Sequence, residues 1–319
     1  MLGKSMAEGL LCVGLTTVDI LARSVERLPI SEATELIDAI RLVPAGTAGG
    51  MALVASCLGV KTGLCSAVGD DSAGKLARLV FEEHGIDLSL LATVRGVCTS
   101  TTLICINEAG RRPRFHMRGA SMEVELNEGV FAIARRTKYL HYAGIGAPKL
   151  DGGAGAALAA ATRQAGGIVT CDLISPRPNA LEELRRVLPY VDFFMPNGDE
   201  ALRLSGQATL EEAGGFFRDL GAVSCIIKDG PRGVLLIERG GCARVQAHTI
   251  EPLDTTSCGD SYCAGFVAAL DRGRSVLEAC RFASAVAALV ASGLGTLGAL
   301  EGFEQADDFR VRTPLREAV

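Results

Sequence analysis

The sequence lacks several features that whole classes of protein require. Basic residues do not exceed acidic ones, since 32 Lys and Arg stand against 37 Asp and Glu, and a nucleic-acid-binding surface is therefore not expected. No uninterrupted apolar run reaches the roughly 18 residues that indicate a transmembrane helix. The first nine residues contain no apolar signal core. We expect a cytoplasmic protein with no nucleic-acid or membrane partner.

Cysteine patterns that bind metal are also absent. The eleven cysteines include no C-x-x-C pair, and the four histidines are isolated from one another. Several cysteines lie inside apolar runs, as Cys12 and Cys105 do. These features are typical of buried thiols in a reducing compartment, and they argue against a zinc site or a disulfide framework.

Two common nucleotide-binding motifs are matched by spacing alone. Gly69–Lys75 has Walker A spacing, but Leu76 stands where that motif requires Ser or Thr, and the two aspartates inside it would repel phosphate. Residues 293–298 fit G-x-G-x-x-G, but they follow a predicted helix rather than a strand. A P-loop protein and a dinucleotide-dependent oxidoreductase are therefore disfavoured. The absence of a G-x-S-x-G elbow disfavours the corresponding hydrolases.

What the sequence does contain is an alternation of predicted strands and helices. Its 319 residues are 48% hydrophobic, which suits a sizeable core. The alternation predicts the α/β class, with a mainly parallel sheet covered by helices on both faces. The main predicted strands are Leu10–Val13, Leu64–Val68, Thr99–Asn107, Arg111–Met117, Tyr139–Tyr142, Ile168–Cys171, Phe193–Met195, Cys225–Lys228, Val234–Ile237 and Arg244–Gln246. Predicted helix caps are Asp71 or Ser72, Asn179, Thr209 and Ser275, the last two within capping boxes.

The stretch Asp254–Phe266 combines a tight polar turn with the start of an apolar helix. The apolar residues recur at helical spacing, which predicts one buried face and an end at Gly273. Ser257–Gly259 then lies at a helix N-terminus, where unpaired amides and the macrodipole hold anions. Asp260 is placed to take a proton from a hydroxyl beside that anion hole. The alternative is an ordinary helix start, in which Asp260 only stabilises the first turn.

This stretch resembles the C-terminal signature of the ribokinase-like, phosphofructokinase-B type family of sugar and nucleoside kinases. That signature is Asp-Thr-Thr-Gly-Ala-Gly-Asp, followed by an aromatic residue and Ala-Gly-Phe. Ser257 and Cys258 stand where the family usually has Gly and Ala, and both are small. Ala45–Ala52 resembles the N-terminal signature Gly-Gly-x-x-x-Asn-x-Ala, with Gly46 kept and Gly50 in place of the Asn. The resemblance extends from about residue 11 to residue 299.

The resemblance implies a single ribokinase-like kinase domain over residues 1–319, with a three-layer α/β/α arrangement. A small β lid, from about residues 16–45 and 97–120, would cover the active site. Because such lids often pair between two chains, a homodimer is expected. Catalysis would be carried out by Asp260 with the amides of Ser257, Cys258 and Gly259. Substrate hydroxyls would be bound by Asp19, expected just past a strand end, and by Thr17, Gly46, Gly50 and Asp260.

The resemblance also implies where cofactors bind. ATP would contact Asn197, Glu200, Lys228, Gly230, Gly233, Ser284 and Ala288, and Glu200 would hold Mg²⁺ through water. A monovalent cation, K⁺, would lie near Asp254, Thr256 and Gly295. From the residues alone, 197–200 is better explained as a capped helix start, and Lys228 is explained equally well as an exposed residue of a hairpin turn. A further family element is degraded to Asp172-Leu-Ile-Ser-Pro-Arg177 and receives little weight.

The resulting prediction is an ATP-dependent kinase that phosphorylates a hydroxyl, preferably primary, on a small sugar or sugar derivative. A nucleoside kinase of the same fold is the first alternative, although the absence of Trp and the presence of only four Tyr leave little to stack against a base. A non-catalytic, sugar-binding relative is the second alternative, and retention of Asp260 argues against it.

Overall fold

The structure, a computed structural model, describes residues 9–173 and 179–317. Its strands are β1 (Leu10–Gly14), β2 (Thr17–Arg23), β3 (Ala39–Ala45), β4 (Thr62–Gly69), β5 (Leu91–Val94), β6 (Thr101–Ile106), β7 (Arg114–Met117), β8 (Tyr139–Ala143), β9 (Ile168–Cys171), β10 (Phe193–Phe194), β11 (Ser224–Lys228), β12 (Val234–Glu238) and β13 (Gly241–Val245). Its α-helices are α1 (Gly49–Cys57), α2 (Ser72–Glu83), α3 (Glu128–Ala134), α4 (Ala154–Gln164), α5 (Ala180–Val187), α6 (Gly198–Ser205), α7 (Leu210–Asp219), α8 (Cys258–Asp271), α9 (Val276–Ala291) and α10 (Phe303–Arg312).

Nine strands of the described chain form the central sheet, in the order β13-β12-β11-β10-β9-β8-β1-β4-β5. All neighbours from β5 to β11 run parallel. Strands β12 and β13 continue the sheet in antiparallel fashion. The predicted mainly parallel sheet is confirmed. Because parallel strands share a carboxyl edge, the loops that follow β1, β8, β9, β10 and β11 meet on one side of the molecule.

Helices cover both faces of this sheet, so the three-layer arrangement is confirmed. Strand side chains alternate between two hydrophobic clusters: Leu10 and Cys12 belong to one, and Leu11 and Val13 belong to the other. The first cluster includes residues of α1, α2, α8, α9 and α10, and the second includes residues of α3 to α7. No helix within the described residues combines the length and the apolarity needed to cross a membrane.

Four other strands form a second, small sheet in the order β3-β2-β6-β7. Strand β2 pairs antiparallel with β3 and parallel with β6, and β6 pairs antiparallel with β7. The predicted strands Thr99–Asn107 and Arg111–Met117 therefore pair as a hairpin. Leu21, Ile104 and Ile106 pack with Val43 and Leu294 on one face of this sheet, which leaves the opposite face without such cover.

Helix α8 is more deeply buried than its periodicity predicts. Residues 261–269 are all buried, and not only one face of the helix, because α8 packs against both α1 and α9. Gly265 permits the approach to α9, since a Cβ there would lie 2.9 Å from Ala283 Cα. The predicted stop is confirmed: α8 ends at Asp271, and Gly273 follows with a φ of 77°.

Most of the predicted helix caps are confirmed. Asp71 caps α2, which also accounts for the Walker-like spacing there, and Thr209 and Ser275 close capping boxes.

The prediction that Asn179 caps a helix is wrong. Asn179 has a φ of −90° and a ψ of 0°, which is not the extended conformation of an N-cap, and its amide nitrogen donates to Asp151 Oδ2 at 3.3 Å. Strand β5 and helices α3 and α10 were not predicted.

The close contact of α8 with α9 leads to a stability prediction. Gly265→Ala should destabilise the protein by about 1–3 kcal/mol, because the new methyl group has no room against Ala283. Gly215→Ala in α7 is the matched control, since nothing lies within 4 Å of its Cβ position, and it should stabilise by about 0.5–1 kcal/mol. Urea denaturation measures both. A Gly265→Ala variant as stable as the wild type would contradict the prediction.

Candidate active site

Polar side chains from separate elements converge at the carboxyl edge of the central sheet. Asp172 follows β9, Asn197 follows β10, and Lys228 ends β11. Strand β1 leads directly into β2 of the small sheet, which carries Asp19. Asp172, Lys228 and Asp19 all act electrostatically on Asp260 at the start of α8. The fold thus brings together residues that are far apart in the sequence. Asp19 and Asp260, for example, are separated by 241 positions.

The N-terminus of α8 presents unpaired amides to this edge. The backbone N–H groups of Ser257, Cys258 and Gly259 donate no hydrogen bond within the described residues, and the first bond of the helix runs from Ser261 N to Ser257 O at 2.8 Å. Such amides, with the helix macrodipole, attract an anion. Ser257 has a φ of 58° and a ψ of 6°, a left-handed conformation that costs an L-residue about 1–2 kcal/mol and that glycine adopts freely.

Asp260 lies in the first turn of α8 and faces Gly50 of α1. A Cβ on Gly50 would lie 3.3 Å from Asp260 Oδ2, so the missing side chain leaves space next to the carboxylate. Burial, with further contributions from Asp172 and other acids, raises the pKa of Asp260 to about 8, although Lys228 opposes this shift. A carboxyl group with this pKa is suited to accept a proton near neutral pH.

Lys228 is buried and ion-paired, not exposed in a hairpin turn. Its Nζ lies 2.6 Å from Asp172 Oδ2, and the two side chains are 12% and 4% exposed. Burial lowers the pKa of Lys228, but the Asp172 carboxylate outweighs burial and the pKa is raised. A Cβ on Gly259 would lie 3.4 Å from the same Nζ. A fixed positive charge therefore stands next to the unpaired amides, and Asp172, whose motif is degraded, holds that charge in place. Arg177 lies outside the described residues.

Asp19 lies within β2, five residues past the last residue of β1. Its side chain is buried and accepts a hydrogen bond from Thr17 Oγ1 at 2.9 Å. Burial raises the pKa of Asp19, while Thr17 and Thr102 oppose this shift through hydrogen bonds. Gly46, with a φ of 91°, lets the chain pass close to this region, since a Cβ there would lie 2.6 Å from Leu15 O.

Asp254 joins the loops before α8 and after α9. Its Oδ1 accepts a hydrogen bond from Thr256 N at 2.8 Å, and its Oδ2 accepts one from Gly295 N at 3.1 Å. Arg112, in the loop between β6 and β7, donates to Thr256 Oγ1 at 3.1 Å and lies 3.9 Å from Asp254 Oδ1. A guanidinium group of the small sheet therefore stands next to the predicted cation site and contacts the loop that begins α8.

The predicted nucleotide residues have a structural role as well. Asn197 and Glu200 form a capping box on α6, with hydrogen bonds of 2.8 and 3.0 Å. Glu200 is also close enough to raise the pKa of Asp260, so capping and a role in the site are compatible. Gly233 is required by the β12–β13 hairpin, because a Cβ would lie 2.0 Å from Val245 O. Gly230 lies in an open turn with a φ of 55°.

Ser284 and Ala288 lie one turn apart on α9, and both are 8% exposed. Ser284 Oγ has no hydrogen-bond partner among the described residues. A buried hydroxyl without a partner requires an explanation, and a ligand lying along this face of α9 would provide one. That these two residues flank a bound nucleotide stays a prediction.

The sequence matches the pfkB family of carbohydrate kinases over residues 7–301. The chain belongs to this family. Similar proteins include the aminoimidazole riboside kinase of Salmonella typhimurium, which is 25% identical over 86% of this chain and 90% of the relative. The nucleoside kinase of Methanothermobacter thermautotrophicus is 28% identical over 90% of each chain. The structure of Arabidopsis thaliana ribokinase, complexed with ribose and ATP, superposes with a TM-score of 0.80, at 23% identity over 95% of this chain and 98% of that one.

Two residues at this site in the pfkB-family chain were not predicted from the sequence. Arg112 contacts the start of α8, and His116 Nδ1 lies 3.1 Å from Thr102 Oγ1, one strand away from Asp19. The sequence pattern that could have indicated them is the alternation in residues 112–118, where basic residues occupy every second position. This pattern predicts that the basic side chains share one face of a strand. It does not predict which face of the small sheet that is, because the strand register is not known from the sequence.

The raised pKa of Asp260 predicts how stability depends on pH. A folded-state pKa near 8, well above the unfolded value of about 3.9, means that this group's contribution to stability is present below about pH 4 and is lost as the pH rises through 8. Asp260→Asn should therefore flatten the decline in the free energy of unfolding between pH 5 and 9, measured by urea denaturation. Asp219→Asn, at the exposed end of α7, should leave the decline unchanged. An unchanged slope in Asp260→Asn would contradict the assigned pKa.

Proposed function

We propose that this protein transfers the terminal phosphoryl group of ATP to a hydroxyl, preferably a primary one, of a small sugar or sugar derivative. The observation that carries the proposal is the position of Asp260 beside three unpaired amides and a buried lysine. Membership of the pfkB family supports it, and so do the names of similar proteins, which include ribokinase and aminoimidazole riboside kinase. The small number of aromatic side chains favours a sugar over a nucleoside.

In the proposed reaction Asp260 accepts the proton of the attacking hydroxyl. The space next to Gly50 admits that hydroxyl to within hydrogen-bonding reach of the Asp260 carboxylate. Asp19 and Thr17, on the small sheet, bind other hydroxyls of the acceptor. Orientation of the reacting oxygen against the phosphorus atom supplies a large share of the rate enhancement in phosphoryl transfer.

The amides of Ser257, Cys258 and Gly259 hold the phosphoryl group as negative charge develops on its oxygens. Lys228, fixed by Asp172, adds a positive charge beside Gly259. The O–P bond to the acceptor forms as the bond to ADP breaks, and the acceptor proton goes to Asp260. The other proposed ATP contacts lie at the start of α6, between β11 and β12, and on α9: Asn197, Glu200, Gly230, Gly233, Ser284 and Ala288.

The residues at this edge also fit Mg²⁺. Within the described part of the chain no three His, Cys, Asp or Glu side chains are placed to bind a metal directly, and Mg²⁺ typically keeps several waters and is shared with substrate phosphates. Glu200, buried near Asp260, would hold such an ion through water. When bound, the ion neutralises charge on the phosphates.

We also propose that the chain is a single domain over residues 1–319, with the small sheet, from about 16–45 and 97–120, acting as its lid. The contact of Arg112 with Thr256 supports a lid that closes onto the anion hole. Closure would exclude water from the phosphoryl group and so prevent hydrolysis of ATP. A cytoplasmic location is part of the proposal, and the eleven unpaired cysteines suit a reducing compartment.

The decisive test is Asp260→Asn, assayed for ATP turnover with a panel of sugars. If Asp260 is the general base, kcat should fall by about 10²–10⁴, while the KM values for ATP and the sugar change little, because proton acceptance matters near the transition state. If Asp260 only stabilises the first turn of α8, Tm should fall while kcat is preserved. A folded variant with near-wild-type kcat would end the proposal. Asp219→Asn is the control for loss of a carboxylate.

We propose K⁺ as a further cofactor, held near Asp254, Thr256 and Gly295. The buried Asp254 carboxylate between two loops supports this assignment, while Arg112 already supplies some positive charge there. A cation at this point would order the loop that carries the amides. Turnover should therefore be higher in KCl than in NaCl or tetramethylammonium chloride at equal ionic strength. Equal rates in the three salts would rule the K⁺ proposal out.

We propose a homodimer formed through the outer face of the small sheet. The strand register places Leu42, Ile20, Leu103 and Phe115 in one row across all four strands, and Leu42 and Phe115 are more than half exposed. The double variant Leu42→Glu, Phe115→Glu should be monomeric by light scattering at a concentration where the wild type is dimeric. Val311→Glu, at a 71% exposed position on α10, should remain dimeric. A monomeric wild type would disprove the proposal.

A further inference from the structure

Strand β7, at the edge of the small sheet, has the reverse of the usual surface pattern. Its apolar residues Phe115 and Met117 are 59% and 47% exposed. The intervening positions, Arg114 and His116, point to the opposite face, because successive side chains of a strand alternate, and Arg118 continues that spacing. The outer face of β7 is thus apolar, whereas the face on the side of Leu21 and Leu294 carries charge, although all four residues of the strand are exposed. The basic residues on that second face, 114, 116 and 118, hereafter the basic row, require a separate explanation.

The register shows what the basic row faces. His116 pairs with Thr102, and Thr102 pairs with Asp19, so these three residues form one line across β7, β6 and β2. The hydrogen-bond distance between His116 Nδ1 and Thr102 Oγ1 confirms that His116 shares the face of Asp19. Asp19 in turn is near enough to Asp260 to raise its pKa. The basic row thus lies on the side of the cleft where the acceptor is expected to bind.

The two arginine charges of the basic row are not neutralised by ion pairs within the described residues. All three side chains are exposed, and neither Arg114 nor Arg118 forms an ion pair with any residue in 9–173 or 179–317. Burial lowers the pKa of His116, as do Arg118 and Arg114, whereas Asp19 raises it. The arginines and the imidazole therefore share one electrostatic field, in which an anion would be favoured.

The basic row is also separate from the proposed nucleotide contacts. Asn197 and Lys228 follow β10 and β11, whereas the small sheet is entered from β1, on the other side of β9 and β8 in the central sheet. The phosphoryl side of the site already has its own guanidinium, since Arg112 contacts Thr256. From Arg112 the chain runs along β7 towards the level of Asp19. The basic row is therefore better placed for the acceptor than for ATP.

We infer that the basic row binds an anionic group of the acceptor, so that the preferred substrate is a sugar carrying a phosphate or a carboxylate. This inference rests on the proposed kinase function and specifies its substrate class. Guanidinium groups bind phosphate and carboxylate with paired, charge-assisted hydrogen bonds. Without them, an anionic acceptor would be repelled by Asp19 and Asp260. Gly50 offers no side chain to a neutral hydroxyl beside Asp260, so charge adds to the selection that Asp19 and Thr17 make through the hydroxyls of the acceptor.

The test uses matched pairs of neutral and anionic acceptors, each with a free primary hydroxyl. The pairs are fructose with fructose 6-phosphate, ribose with ribose 1-phosphate, and glucose with gluconate, so that phosphate and carboxylate are distinguished. We expect kcat/KM to be at least about tenfold higher for the anionic member of one phosphate or carboxylate pair. Arg114→Gln and Arg118→Gln should each lower that value by about ten- to a hundredfold. Values for neutral acceptors and the KM for ATP should stay within about twofold of wild type.

Matched variants keep the inference testable if a substitution perturbs folding. Arg239→Gln removes one positive charge from the exposed turn between β12 and β13 and should leave every acceptor unaffected. Arg118→Lys keeps the charge but not the paired geometry, so its kcat/KM should lie between wild type and Arg118→Gln. Tm values and calorimetric binding of the anionic acceptor without ATP complete the set. Binding that is unchanged in Arg114→Gln and Arg118→Gln would overturn the inference.

Failure of the inference and failure of the proposed function give different results. If neutral sugars are phosphorylated at least as well as their anionic partners and the Gln variants behave like wild type, the kinase function stands and the inference is wrong. If the Gln variants raise the KM for ATP with every acceptor, the basic row serves the nucleotide, and the inference is again wrong. If no sugar, neutral or anionic, is phosphorylated by the wild type, the proposed function itself fails.

Discussion

The site depends on one buried cation among several buried acids. Lys228 is held by Asp172, and Asp19, Glu200 and Asp260 surround the same edge of the sheet. Removing Lys228 alone would leave these carboxylates to repel one another in a poorly solvated site, and such unpaired buried charge typically destabilises a fold by about 3–5 kcal/mol. The acids come from four different elements, since Asp172 follows β9, Asp19 lies in β2, Glu200 in α6 and Asp260 in α8.

Features that depend on neighbouring residues could be predicted from the sequence. The start of α8 at Cys258, the stop near Gly273 and the capping boxes at Thr209 and Ser275 were all confirmed, because each depends on residues within one or two turns. The alternation of strands and helices likewise predicted a parallel sheet, since a strand that is buried on both faces requires a helix on each side.

Features that depend on pairing between distant strands could not be predicted in the same way. The ion pair of Lys228 with Asp172, and the contact of Arg112 with Thr256, join residues 56 and 144 positions apart, and nothing local specifies them. The strands that pair with the strand of Asp19 are another example, because that strand belongs to the small sheet. The prediction at Asn179 failed although it depended on local residues. Asn is a good capping residue, but the chain enters α5 with a backbone conformation that is unsuitable for capping.

The two faces of β7 place a constraint on how this protein can change. Phe115 and Met117 face outward and Arg114 and His116 face inward, on a strand of only four residues. Because side chains alternate with a period of two, an insertion or deletion of one residue in the loop at 107–113 would exchange the two faces at once. The chain would then place aromatic and thioether groups over the cleft and charges on the apolar surface. Changes in that loop should therefore come in steps of two residues, with acceptor selection and subunit pairing altered together or not at all.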